Sequence, residues 1–362
     1  MYNETVIRCV YVSFEADNSG GGIGSKVNKH LLESIFNKQV LFIEFPRTKN
    51  KIHNLCNTLI GYIHGMNHSL SNQIIEEIAC HSPEYVFINA SQYGLLAKRI
   101  KKTYPKILVI TFFHDIEVLF CWSAFKRLKK PQNLLTLVTT YYNEKLIVRY
   151  SDKLICLNDR EAKNLDKIYH RTPDLLLPSS LTDRLDVSRI VQKDPLRTRA
   201  KGIFVGSYFF ANYFGIKWFV DNVASKINAD IEIVGLNFEY VRTKLEIYDN
   251  IKVIGSVDHI DAYYYDADFV IAPIYDGAGM KIKTAEALMF GKTIFGTPEA
   301  FVGYDIDFAK VGGLCNNYND FIERINEYNL DNNRFNSYSR KIYLEKYSFD
   351  QSLIRLKSLF VF

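Results

Sequence analysis

Residues 269–297 read FVIAPIYDGAGMKIKTAEALMFGKTIFGT. The apolar run Phe269–Ala272 has the length and composition of a buried strand and stops at Pro273. A loop bearing Gly277 and Gly279 follows, a helix begins near Met280, and Gly291 ends it before a second strand at Thr293–Phe295. Lys281 and Lys283 lie in or beside the first turn of that helix, the end where the macrodipole favours acids. Two lysines there are locally unfavourable unless an anion joins them. A phosphate would be held by the amides of Gly279 and Met280 and neutralised by lysine charge. Glu286 lies one turn further on, on the face of Lys283, and a carboxylate accepts both hydrogens of a ribose diol. The plainer reading is a surface Lys283–Glu286 pair contributing about 0.2–0.5 kcal/mol.

Outward from this unit the same alternation repeats. Val6–Phe14, Val40–Phe45, Tyr85–Asn89, Ile107–Phe113 and Lys153–Leu157 read as strands, and so do Gly202–Val205, Ile231–Val234 and Ile251–Ile254. Between the first two, Val27, Leu31, Leu32, Ile35 and Phe36 recur at helical spacing, with Ser25 placed to cap the helix. Strands buried between helices imply parallel, doubly wound sheets, so the fold class is α/β with two Rossmann-like domains facing a central cleft. The proline-bearing, weakly periodic segment 171–201 separates the two series. The expected domains are 1–178, joined by a C-terminal helix over 344–362, and 179–343. Leu353, Leu356 and Phe360 form the expected buried stripe of that last helix. Ligands of open parallel sheets sit beyond the carboxyl ends of the strands, which directs attention to post-strand loops.

The chain has 362 residues, 48% hydrophobic and 23% charged, a composition that excludes a disordered or fibrous protein. No apolar run approaches the roughly 20 residues of a spanning helix. The opening MYNETVIRCVYVSF carries Glu4 and no small-residue cleavage site, and reads as a first strand. The cysteines at 9, 56, 80, 121, 156 and 315 form no CxxC pair, which points to reduced thiols in a cytoplasmic protein, with neither a disulfide framework nor zinc. The net charge of +5 divides as +7 over residues 1–180, +2 over 181–200 and −4 over 201–362. Its excess lies in Lys98, Arg99, Lys101, Lys102 and Lys106 and in Lys126, Arg127, Lys129 and Lys130. The second cluster adjoins Trp122, Phe125 and Leu134-Leu135-Thr136-Leu137, a combination suited either to an anionic membrane surface or to ordinary solvated helix faces. No nucleic-acid recognition motif accompanies the charge.

After the first strand comes Asn18-Ser19-Gly20-Gly21-Gly22-Ile23-Gly24-Ser25, which reads as a glycine loop able to approach an anion or as a plain surface turn. Glu44, closing the second strand, would suit a nicotinamide dinucleotide, but Val27 stands where the third glycine of that fingerprint belongs. Asp266-Ala267-Asp268, between a tyrosine-rich helix end and a buried strand, reads as a structural turn rather than a metal-binding acid pair. No metal ligand set is expected. His114 follows a strand beside Asp115, where a site residue or a satisfied core histidine would both fit.

Three stretches carry a family resemblance: IFVGSYFFANYFGIKWF at 203–219, the region from Asp268 to Gly303, and 144–182 with Glu144, SDKLICLNDREAKNL and LLPSSL. With Gly21-Gly22 and His114-Asp115 as weaker matches, the sequence resembles family 4 glycosyltransferases of the GT-B fold, in the branch used in bacterial polysaccharide assembly. The resemblance implies retaining transfer from a nucleotide-diphosphate sugar, UDP favoured over GDP, with no cofactor beyond this substrate, to a glycan or lipid-linked saccharide. It implies donor binding by Gly21, Gly22, Gly206, Ser207, Asn212, Gly277, Gly279, Met280, Lys281, Ile282 and Glu286, with Glu286 on the ribose. It implies that His114 reaches the transferred sugar from the opposite domain. Two positions depart from the family pattern: Ala278 replaces the first glutamate of a paired motif, and Ser207 replaces a common arginine. By charge alone, neutralisation of the leaving diphosphate then falls to Lys281, Lys283 or Lys217, and Lys281 and Lys283 join His114 as the catalytic set. No nucleophile is evident, so direct front-face displacement is the expected route. A non-catalytic nucleotide-sugar-binding scaffold and, more remotely, a nicotinamide oxidoreductase are the alternatives. The expected location is cytoplasmic, extending to the inner membrane face if the basic clusters bind lipid.

Overall fold

A computed structural model describes residues 6–16, 20–46, 51–190, 198–277, 279–328 and 334–361. Two compact units result: residues 1–178 with Ser352–Phe362, and residues 179–351. Each is built on a six-stranded sheet whose strand pairings are all parallel.

In the first unit the strands are β1 (Cys9–Phe14), β2 (Val40–Phe45), β3 (Tyr85–Ile88), β4 (Leu108–Phe113), β5 (Lys153–Cys156) and β6 (Leu175–Leu176), in the order β2-β1-β3-β4-β5-β6. Every residue of β1 and β3 is buried, because helices cover both faces, and their sequences CVYVSF and YVFI are correspondingly apolar without alternation. The strand order reverses between β1 and β3, so the crevice of this sheet opens at their carboxyl ends. Residues 352–361 return to this unit, where Ser352 and Leu356 are buried and Phe360 packs edge-on against Phe36 at 4.9 Å and Tyr85 at 5.0 Å.

The second unit continues with β7 (Ala200–Val205), β8 (Ala229–Val234), β9 (Ile251–Gly255), β10 (Phe269–Ala272), β11 (Thr293–Gly296) and β12 (Gly312–Leu314), ordered β12-β11-β10-β7-β8-β9. Here the order reverses between β7 and β10. The loops after those two strands lie within the 203–219 and 269–297 stretches singled out above. The helix Phe210–Asn222 reaches the loop after β10 backbone to backbone: a Cβ on Gly215 would sit 1.9 Å from the Pro273 carbonyl oxygen. Gly215→Ala is therefore expected to lower stability by about 1–3 kcal/mol, as overpacking does, measured by denaturant unfolding with an unchanged slope.

Several expectations are corrected. The glycine cluster after β1 is helical: the helix runs Gly20–Phe36, and Ser25 lies inside it rather than at its cap. The Ser25 hydroxyl donates back to the Gly21 carbonyl at 3.1 Å, the i−4 bond of a serine within a helix. The helix read as beginning near Met280 is present at Ile282–Met289, with Lys281 as its N-cap in extended conformation. The C-terminal element does not begin at 344: residues Tyr343–Tyr347 form a π-helical turn of the second unit, and the chain enters the first at Ser352. The short edge strands β6 and β12 have too few residues for any periodicity to mark them. Asn18, Ser19 and Ala278 lie outside the described residues.

Candidate active site

At the carboxyl end of β7, Gly206 faces the first turn of the Ile282–Met289 helix. The Lys283 ammonium donates to Asn212 Oδ1 at 2.6 Å and lies 4.6 Å from the centre of the Phe204 ring. Asn212 Nδ2 donates in turn to the Ser207 carbonyl oxygen at 2.8 Å, which fixes the loop after β7. A Cβ on Gly206 would approach Asn212 Nδ2 to 2.8 Å and Lys283 Nζ to 3.0 Å, so any side chain here would displace this pair. Burial, followed by the charge of Lys281, pushes Lys283 down to about 7, and the Glu286 charge opposes this. The helix has no side-chain cap on its free amides. A cation depressed by burial beside an uncapped helix N-terminus suits an anionic ligand.

Glu286, on the same helix, is 8% exposed and is not paired with Lys283. Its Oε1 accepts from Arg184 Nη2 at 3.0 Å, and its Oε2 accepts from the Tyr264 hydroxyl at 3.2 Å. Arg184 also donates from Nε to Asp261 Oδ1 at 3.2 Å. The Tyr264 ring stacks on Phe290 at 4.8 Å, which locks its hydroxyl on the carboxylate. The segment carrying Arg184 is itself pinned, with Asp183 ion-paired to Arg340 and the Leu181 carbonyl accepting from the Tyr343 hydroxyl at 2.8 Å. Burial pushes the Glu286 carboxyl up, while Arg184 and Tyr264 pull it down. Each carboxylate oxygen thus keeps one lone pair beyond its partner in the protein.

The remaining expected residues of this unit have distinct partners. Lys281 donates to Glu299 Oε1 at 2.7 Å and to the Gly279 carbonyl at 3.0 Å, so its charge is engaged by the loop. Tyr304 donates to the Lys281 carbonyl at 2.8 Å, holding the turn that opens the helix. Gly277 and Gly279 both adopt positive φ, +133° and +63°, as the loop requires. Met280 is buried, whereas Ile282 is half-buried and Ser207 exposed. Lys217 is paired within its helix to Asp221 at 2.6 Å. Asp266 pairs with Lys201 at 2.6 Å and Asp268 with Arg334 at 2.8 Å, which engages both acids of the Asp266-Ala267-Asp268 turn. Among the described residues no group of three or more His, Cys, Asp or Glu side chains is arranged to hold a metal ion.

In the first unit the β1/β3 crevice holds a polar cluster. Asn89, just past β3, donates from Nδ2 to Ser13 Oγ at 3.2 Å and to Ser25 Oγ at 3.0 Å, and its Oδ1 accepts from Asn28 Nδ2 at 2.8 Å. His114 Nε2 lies 3.2 Å from the same Oδ1. An acceptor oxygen requires the proton on Nε2, which leaves Nδ1 as an acceptor. Burial holds the His114 ring down to about 4, so it is neutral at pH 7. The glycine beside the ring is Gly24, whose Cβ would stand 3.6 Å from Nδ1, rather than Gly22, which is buried, or the exposed Gly21. The His114 loop is anchored behind by Glu144, which accepts from the amides of Glu117 and Val118, the Ser91 hydroxyl and the Tyr169 hydroxyl. Glu44 is ion-paired to Lys29 at 2.6 Å.

Residues 199–328 match the family described as Glycosyl transferases group 1. No curated protein matches the chain. Among solved structures it resembles the sucrose-phosphate synthase of Thermosynechococcus elongatus, with a TM-score of 0.72 at 14% identity over 97% of this chain and 98% of that one. The Anabaena HepE protein in complex with UDP gives 0.70 at 11% identity over 98% and 99% of the two chains. The catalytic domain of starch synthase IV of Arabidopsis thaliana, bound to ADP and acarbose, gives 0.62 at 11% identity over 98% of each. The chain has the GT-B fold. Its second unit carries the glycosyl transferases group 1 domain, and the Gly206–Asn212–Lys283 and Arg184–Glu286–Tyr264 clusters both belong to that GT-B unit. Sequence reasoning missed Arg184, Tyr264, Asp261 and Asn89. Asn89 had a signal, since it ends a predicted strand; Arg184 had none, because it reaches Glu286 across 102 residues of sequence.

Proposed function

We propose that the chain is a retaining glycosyltransferase that moves a sugar from a nucleoside-diphosphate sugar to a glycan or lipid-linked saccharide. The observation that carries this is Lys283, whose ammonium stands 3.0 Å from where a Gly206 side chain would begin, beside an uncapped helix N-terminus at the strand-order reversal. In that reading the diphosphate lies against Gly206, Gly279 and the helix start, and the ribose diol donates to the free lone pairs of Glu286. As the bond from the sugar C1 to the diphosphate oxygen breaks, positive charge grows on the ring and negative charge on the leaving group. Lys283 and the helix amides face that negative charge, the main electrostatic lever for such a step, with Lys281 shaping the loop. The acceptor hydroxyl bonds to C1 on the face the diphosphate leaves, and its proton passes to the departing oxygen. The neutral Nδ1 of His114 offers an acceptor for a hydroxyl within the first unit's own crevice. UDP is the favoured carrier, a choice supported by the similar HepE protein, which is known in complex with UDP.

Calorimetric titration with UDP, GDP and NAD, followed by turnover of the matching sugar nucleotides, tests the reading. Binding of a nucleoside diphosphate with hydrolysis or transfer of its sugar is expected, UDP ahead of GDP. Diphosphate binding without turnover across donors and acceptors would make the chain a scaffold, and binding of NAD alone would make it an oxidoreductase.

A further inference from the structure

The helices Glu117–Leu128 and Pro131–Tyr150 form a hairpin whose outer face is the reverse of an ordinary solvated surface. On the first helix Val118 and Cys121 turn inward, while Leu119, Phe120 and Trp122 are 40%, 57% and 45% exposed. At 100° per residue these three share one side with Lys126 and Arg127. At the bend, Leu128 is 54% exposed among Lys126, Arg127, Lys129 and Lys130, and Lys129 takes positive φ (+48°) to close the turn. The second helix also exposes Leu134 and Val138.

The charge on this surface is of one sign. Residues 118–143 contain these four cations and no Asp or Glu. The Lys126 ammonium lies 5.0 Å from the Trp122 ring centre, so cation and aromatic form one amphipathic unit. Large apolar side chains presented to solvent beside a one-sign cationic tip cost solubility with no gain to the unit's own core. They do suit a partner that is anionic at its surface and apolar a few ångströms below. Tryptophan favours that boundary, and lysine stems lie along apolar material with the charge at the headgroups. No described helix is long and apolar enough to cross a membrane, so the contact is interfacial.

We propose that the 117–150 hairpin docks the protein on an anionic lipid bilayer, with Leu119, Phe120, Trp122 and Leu128 entering the interface and the four cations meeting the headgroups. Nucleic acid would be met by the cations but would leave the exposed leucines and phenylalanine against water, which disfavours it.

The test is co-sedimentation of the full chain with vesicles of phosphatidylcholine alone and with 30% phosphatidylglycerol added, at low and high salt. Binding is expected only with the anionic lipid, weakened by salt. Replacing Lys126, Arg127, Lys129 and Lys130 together by glutamine is expected to lower the partition coefficient by about tenfold or more. Replacing Leu119, Phe120 and Trp122 together by serine is expected to abolish stable binding while thermal unfolding stays cooperative. In a Trp218→Phe background Trp122 becomes the sole tryptophan, and its emission is expected to shift to the blue with anionic vesicles. No sedimentation with anionic vesicles, or sedimentation equal in wild type and both variants, overturns the proposal. Binding of nucleic acid or an acidic protein that the glutamine variant abolishes, without vesicle binding, also overturns it and assigns the hairpin to that partner.

Discussion

Lys283→Met is expected to lower turnover of the sugar nucleotide by about 10²–10³-fold, the usual cost of removing one preorganised donor at a developing anion. It is also expected to remove a proton from the binding equilibrium. In the free protein burial holds Lys283 at about 7, so at pH 8 only about a tenth of the molecules carry its charge. A diphosphate against the ammonium restores the charged form. Binding at pH 8, where the free diphosphate is already ionised, should therefore take up about 0.9 proton. The sign is fixed: affinity for the diphosphate falls as pH rises through and above 7. Titration calorimetry in buffers of different ionisation enthalpy reads the uptake directly. Lys283→Met should show none at that pH. Equal, pH-independent uptake in wild type and variant would remove Lys283 from the site.

Glu286→Ala is expected to weaken nucleoside diphosphate binding by about 10²-fold, since two hydrogen bonds to a charged acceptor contribute about 1.5–3 kcal/mol each and water repays part of the loss. The specific signature is a lost discrimination. Wild type should prefer UDP over its 2′-deoxy analogue, and Glu286→Ala should bind both alike, compared by titration as a double-mutant cycle. Arg184 supplies a further arm. It holds Glu286 Oε1 at 3.0 Å and draws the carboxyl down against the burial that raises it. In Arg184→Ala the carboxyl protonates more readily, and a protonated carboxyl accepts only part of a diol. UDP affinity of that variant should fall as pH is lowered, while the wild type holds.

The alternation of buried strands and amphipathic helices, and hence the two parallel sheets, was legible because fully buried parallel strands such as FVIA and YVFI carry a continuous apolar signal. The placement of Lys283 and Glu286 on one helix was legible for the same reason: the unit that carries them is local, a strand, a loop and a helix within 29 residues. What the sequence hid was of two kinds. The glycine run after β1 looked like a loop because glycine is a poor helix former, yet tertiary contact with the Asn89 cluster makes it the first turns of a helix. The partners of Glu286 arrive from Arg184 and Tyr264, separated from it by 102 and 22 residues, and such contacts leave no local trace. The plainer reading, a Lys283–Glu286 surface pair, does not hold: Lys283 is on Asn212 and Glu286 on Arg184, partners that only the folded unit brings up.

A crystal structure of the protein soaked with UDP tests the central claim most directly. The account predicts the diphosphate within hydrogen-bonding distance of Lys283 Nζ and the amides at the start of the Ile282–Met289 helix, with the ribose hydroxyls on Glu286. A nucleotide bound elsewhere, with Lys283 still on Asn212 and Glu286 touched only by Arg184 and Tyr264, would contradict it.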